Sequence, residues 1–142
     1  MSELTHLLLK MILMLAVVAG IALLGVVAFA VLKRAPPTSA ILAQANKERS
    51  IVVDVRSVRE FEAGPRVDGA INVPCTMRDA TAIARAAADG TLPRDRTTPI
   101  LVHCAVGGRS AVAKRALEAA GYSDVVNSIS VKTTADALKQ AR

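Results

Sequence analysis

The chain opens with a run in which apolar residues fill every position instead of one face. From Met11 to Leu32, 22 consecutive residues carry no charge, and Leu, Val, Ala, Ile and Met dominate. A helix of that length spans roughly 33 Å, close to the hydrocarbon thickness of a bilayer. Lys10 flanks one end, Lys33 and Arg34 flank the other, and Pro36 with Pro37 stop a helix from continuing. The pattern predicts a transmembrane helix over 11–32, with residues 1–10 as its flank and 33–39 as a short stiff linker. A cleaved signal peptide is the rival reading, because Ala28-Phe29-Ala30 supplies an A-x-A pattern. The apolar run exceeds the usual signal core, however, and Lys33-Arg34 would follow the cut almost at once. A helix buried in a soluble core would show a stripe, not an apolar circumference.

After residue 39 the pattern changes to short β-branched runs separated by helical periodicities. Thr38 or Ser39 is placed to cap a helix through Ala40–Lys47. Ile51–Val55 reads as a buried parallel strand, Val58–Ala63 as one or two helical turns ended by Gly64-Pro65, and Ala70–Pro74 as a second strand. An Ala-rich helix begins at Asp79 or Thr81 and ends near Asp89-Gly90. Thr91–Pro99 is a polar loop. Ile100–Cys104 is the next buried strand, followed directly by a helix from near Gly108 to Ala120 that Gly121 terminates. Val125–Ser128 predicts a short strand and Thr134–Gln140 a last helix. The alternation implies one α/β domain over 40–142, with a central, mainly parallel sheet flanked by helices.

Charge and composition narrow the partners. The net charge is +6, and residues 35–142 carry +4, from fifteen Lys/Arg against eleven Asp/Glu. The basic residues are interleaved with acids, as in Arg56-Ser57-Val58-Arg59-Glu60, so no duplex-binding stripe forms. Aromatics are confined to Phe29, Phe61 and Tyr122, too few for base-stacking platforms. A nucleic-acid partner is therefore not expected. Basic residues near the apolar run number one on its N-terminal side (Lys10) and four on the other (Lys33, Arg34, Lys47, Arg49). That asymmetry predicts a cytoplasmic C-terminal domain, with an extracytoplasmic one as the alternative. Cys75 and Cys104 lie far apart and lack the Cys/His spacing of a zinc site, so no metal and no cofactor are expected.

The chemistry concentrates at Cys104, at the carboxyl end of a predicted buried strand and before a glycine-bearing turn into a helix. Ligands bind at that position in open α/β sheets. Gly107 and Gly108 allow the backbone N–H groups to point inward as an anion-binding nest, and the helix beginning near Gly108 adds its positive end. Arg109 adds a full positive charge. Each effect favours thiolate over thiol at Cys104.

At this point the sequence resembles the rhodanese family. The resemblance rests on Val53-Asp54-Val55-Arg56 with Glu60-Phe61, on Gly69-Ala70-Ile71-Asn72-Val73-Pro74, and on Val102-His103-Cys104-Ala105-Val106-Gly107-Gly108-Arg109-Ser110-Ala111, in that order. Gly121-Tyr122 with Val125 completes it. It implies a rhodanese-like fold and a sulfurtransferase in which Cys104 takes sulfane sulfur from thiosulfate or a persulfide and passes it to a thiol or cyanide. The implied site is Cys104 as nucleophile, with Ala105, Val106, Gly107, Gly108, Arg109 and Ser110 holding the sulfur and the anionic donor. Asp54 and Arg56 are implied to be supporting residues. A sulfur carrier or a noncatalytic binding module is the alternative, with a protein acceptor open. A phosphatase or arsenate reductase is disfavoured, because four residues separate Cys104 from Arg109, where the related phosphatases have five.

Other residues read more blandly. His103 precedes the nucleophile in a strand, so its side chain points to the opposite face, as a packed histidine and not a general base. Cys75 follows a strand end on the side of the active loop, as a small semi-buried residue or a resolving thiol. Two stretches depart from the family pattern. Gly64–Ala70 is one residue longer than usual, and Asn127-Ser128-Ile129-Ser130-Val131-Lys132 replaces the usual Gly-Gly turn and aromatic, leaving one wall of the pocket open.

Overall fold

The structure is a computed structural model that describes residues 3–32 and 38–142, with side chains over 3–22 and 38–142. The chain divides into two units, Met1–Ala35 and Pro36–Arg142. The first is a single helix, α1 (Glu3–Leu32), of 30 residues. It begins eight residues before the uncharged run and carries Lys10 within it. Its described side chains, Glu3–Ala22, are exposed all around, and that stretch is long and apolar enough to cross a membrane. The predicted linker, 33–39, falls mostly outside the described residues.

The second unit begins with α2 (Ser39–Ala45), whose Thr38 hydroxyl accepts from the Ile41 amide as the cap. Then follow β1 (Ile51–Asp54), α3 (Val58–Ala63), β2 (Ile71–Asn72), α4 (Thr81–Asp89), β3 (Ile100–Cys104), α5 (Gly108–Ala119), β4 (Val125–Ser130) and α6 (Val131–Gln140). The sheet order is β2-β1-β3-β4, and every pairing is parallel. Parallel strands require crossovers, so both faces are covered by helices and the central strands are apolar throughout. Residues alternate between faces accordingly. Val53, Val55, Val102 and Cys104 pack with Ile83, Ala113 and Leu117 of α4 and α5. Val52 and Leu101 pack on the other face with Ile41 and Ala137 of α2 and α6.

Three elements differ from the sequence reading. The strand expected over Ala70–Pro74 is regular only at Ile71–Asn72, although the Val73 and Cys75 amides still donate to the Asp54 and Val55 carbonyls at 2.9 and 3.1 Å. The last strand runs two residues further, to Ser130, through a bulge that opposes Val102 to Asn127 and His103 to Ile129 and leaves Ser128 unpaired between them. The bulge holds Ile129 at φ 71°, costly for a β-branched side chain. The last helix starts three residues early because Ser130 caps it, its hydroxyl accepting from the Thr133 amide.

Candidate active site

Strand β3 ends at Cys104, and the chain turns through Ala105–Gly107 into α5. Gly107 makes that turn possible: it stands at φ 94°, and a Cβ there would meet the Ile129 side chain at 3.3 Å. A Cβ on Gly108 would meet the Met77 sulfur at 3.1 Å, so this second glycine lets Met77 lie against the start of α5. Sulfur Sγ of Cys104 sits at the floor, only 1% exposed as a residue, while Ala105 and Val106 stand out in solvent.

The sulfur is ringed by donors. The Gly107 amide donates to Sγ at 3.2 Å, and the Ser110 hydroxyl lies 3.5 Å away. Burial pushes the Cys104 thiol up, but the Ser110 hydroxyl and the amides of Ser110, Val106 and Gly107 outweigh it and bring its pKa below the ordinary thiol value. The α5 N-terminus acts in the same direction.

Arg109 is where expected but is not free. Its two terminal nitrogens grip the Glu60 carboxylate of α3 at 2.7 and 2.8 Å. The same carboxylate caps α3 with Ser57, accepting from its amide and its hydroxyl. These bonds hold the Glu60 carboxyl well below the usual range, from Arg109 first and then Ser57. Glu60 in turn raises the Arg109 pKa, and the Cys104 sulfur adds to it. Nothing in the sequence alone ties Glu60 to the site. Its capping-box spacing from Ser57 was visible there, but its reach across to Arg109 was not.

Asp54 and Arg56 lie together on β1 and just beyond it. The Arg56 Nε and Nη2 clasp the Asp54 carboxylate at 2.7 to 3.1 Å, and Nη2 also donates to the Pro65 carbonyl. Both are buried. The pair ties the end of β1 to the loop at Pro65. His103 is fully buried, its Nε2 without a hydrogen-bond partner and 3.8 Å from Asp54. Desolvation lowers its pKa despite the opposing pull of Asp54, keeping the ring neutral. Cys75 belongs to the same core cluster as Cys104 but is buried, not semi-buried. Burial, with Asp79 adding, pushes its thiol up to about 11.

One more residue enters from β4. Asn127 Oδ1 accepts from the Ser110 hydroxyl at 2.8 Å and the Ile129 amide at 2.9 Å, and its Nδ2 donates to the Gly107 carbonyl at 3.1 Å. It lies in the stretch that departs from the family pattern.

A cysteine on an amide-lined loop, at the carboxyl edge of a parallel sheet and at the start of a helix, places the chain among α/β proteins with a donor-lined cysteine at the sheet edge. The Rhodanese-like domain family matches residues 38–129, and the chain belongs to that family. At that level its function is of the sulfurtransferase or a related type. Among solved structures, an Escherichia coli rhodanese with anions is 30% identical, with 59% of this chain and 89% of that one covered at a TM-score of 0.48. The Alr3790 protein from Anabaena is 22% identical, covering 71% and 83% at 0.48. A protein from Saccharomyces cerevisiae is 21% identical, covering 74% and 92% at 0.48. No curated protein sequence matches the chain.

Proposed function

We propose that the protein is a membrane-anchored sulfurtransferase that carries sulfane sulfur on Cys104 as a persulfide. The reading is carried by one observation: the buried Cys104 sulfur receives the Gly107 amide at 3.2 Å and faces the Ser110 hydroxyl at 3.5 Å. Donors fixed in a dry pocket stabilise an anion without reorganising. In the first half-reaction the Cys104 thiolate attacks the outer sulfur of thiosulfate. The new S–S bond forms as the old one breaks, and sulfite leaves with the electron pair. The product, a Cys104 persulfide anion, occupies the loop of Ala105–Ser110. In the second half-reaction a thiolate or cyanide takes the terminal sulfur, and the electron pair returns to Sγ.

The Glu60 carboxylate favours a second reading of the donor. With Arg109 neutralised by that ion pair, the loop's cation attracts a dianion such as thiosulfate less strongly, and a less charged persulfide becomes the better donor. The carrier reading differs from the enzyme in acceptor breadth, since a carrier discharges only to a docked partner. Helix α1 would anchor the domain, on the cytoplasmic side by the Lys/Arg asymmetry.

The test is intact-mass analysis of the full chain in detergent before and after anaerobic incubation with thiosulfate, and separately with a small-molecule persulfide. A gain of roughly 32 Da that cyanide removes and Cys104→Ser lacks is the expected result. Loading that no small thiol or cyanide reverses would leave the carrier. No gain from either donor, with Cys104 still alkylatable, would exclude the persulfide mechanism.

A further inference from the structure

The Ser110 hydroxyl has one proton and stands between two acceptors. Its oxygen is 2.8 Å from Asn127 Oδ1 and 3.5 Å from Cys104 Sγ. A hydroxyl donates to one of them at a time. The orientation of the Asn127 amide is set by its other partners: the oxygen faces the Ile129 amide N–H, and the nitrogen faces the Gly107 carbonyl. When Cys104 is a thiol, the hydroxyl gives its proton to Asn127 and turns a lone pair toward the S–H. When the sulfur is an anion, the charge makes Sγ the better acceptor. The hydroxyl then rotates its proton onto sulfur, and Asn127 Oδ1 keeps the Ile129 amide, so neither state leaves a buried polar atom orphaned.

We propose that Asn127 is a positioning residue for the sulfur nucleophile, the alternative acceptor that holds the Ser110 proton while Cys104 is a thiol and releases it when the sulfur becomes an anion. Nothing is transferred between Ser110 and Asn127; the hydroxyl rotates, and the Cys104 proton leaves to solvent. The inference takes from the proposed function only that Cys104 is the nucleophile. Its consequence is one of sign. The Ser110–Asn127 bond exists only beside the thiol and opposes ionisation, whereas the Ser110–sulfur bond exists only beside the anion and favours it. The two neighbours therefore push Cys104 in opposite directions.

The charged and titratable groups nearest the sulfur are Arg109, in the loop itself, with its partner Glu60 from α3, and Cys75, in the same core cluster; His103 precedes Cys104 but turns its ring to the opposite face, toward Asp54 and its partner Arg56. The test leaves all of them in place. The Gly107 carbonyl also accepts from the Ala111 amide at 3.0 Å, so it keeps a partner when Asn127 is removed.

The pH dependence of iodoacetamide modification at Cys104, resolved by peptide mass spectrometry on the full chain in detergent, reads the effect. Ser110→Ala raises the midpoint. Asn127→Ala lowers it by about half a unit, roughly a threefold gain in thiolate over thiol. The double variant matches Ser110→Ala alone. A residue that merely supports the loop would raise the midpoint when removed, so a rise or no change in folded Asn127→Ala overturns the proposal. So does a fall that persists without Ser110. Should Asn127→Ala not fold, Asn127→Asp keeps the acceptor: its midpoint rises more with Ser110 present than absent, and an equal rise in both backgrounds overturns the proposal. The alkylation readout is independent of sulfur loading, so it stands apart from any failure of the persulfide assay.

Discussion

The two cysteines share one core cluster yet are driven in opposite directions. Cys104 gains a hydroxyl and backbone amides as donors and falls below the ordinary thiol value, whereas Cys75 gains mainly desolvation and rises to about 11. Its sulfur lies 3.5 Å from the Val73 carbonyl, an acceptor that favours the protonated form. At pH 8 a thiol of pKa 11 is ionised to roughly one part in a thousand, too little for a resolving nucleophile. Cys75→Ala is therefore expected to leave sulfur loading and discharge within about twofold of wild type. A persulfide that persists in that variant but is discharged in the wild type, followed by mass, would restore the resolving role. Cys75 shares the core cluster of Cys104, and its thiol is governed by that burial, which only the packed fold supplies. Glu60 shows the same limit: a cap by local spacing, it becomes the partner of Arg109 only through the fold.

At the scale of elements, the carboxyl ends of β1 and β3 form the platform. The Asp54–Arg56 pair joins the end of β1 to the loop at Pro65, and Asn72 Nδ2 adds bonds to the Asp54 and Arg56 carbonyls at 2.9 Å. The pair is buried, so breaking it strands a charge. Asp54→Asn is expected to destabilise the fold by about 3 kcal/mol, read by chemical denaturation. A loss below about 1 kcal/mol would show Arg56 finding water instead. Central elements such as β1, β3 and α5 were legible, because apolar runs and glycine stops report local preference directly. The edge strand β2 and the bulged β4 were legible as strands but not in their ends. Their extents depend on the pairing available from β1 and β3, and the bulge at Ser128 is satisfied by its hydroxyl donating to the Val102 carbonyl at 3.3 Å and accepting from Thr134 at 2.8 Å.

For the molecule as a whole, α1 is the element that bears on location, because it is long and apolar enough to cross a membrane. Its apolar side chains over Glu3–Ala22 are exposed. In water such a surface is costly, at about 25 cal/mol per Å². The full chain is expected to sediment with membranes, to stay there in alkaline carbonate, and to enter solution only with detergent. Release by carbonate would contradict a spanning helix.

Residue type and spacing alone were enough for the candidate cysteine at a strand end, the glycines that shape the turn, the parallel α/β architecture and the apolar helix. All of these follow from residue type and spacing along one stretch of chain. Only the packed fold settles which charges and protons meet: Glu60 pairing with Arg109, Asn127 facing Ser110, Asp54 clasped by Arg56, and Cys75 buried with its thiol pushed up. Ionisation and hydrogen bonding depend on distances of a few ångströms between residues far apart in sequence, and only the packed sheet and helices set those distances.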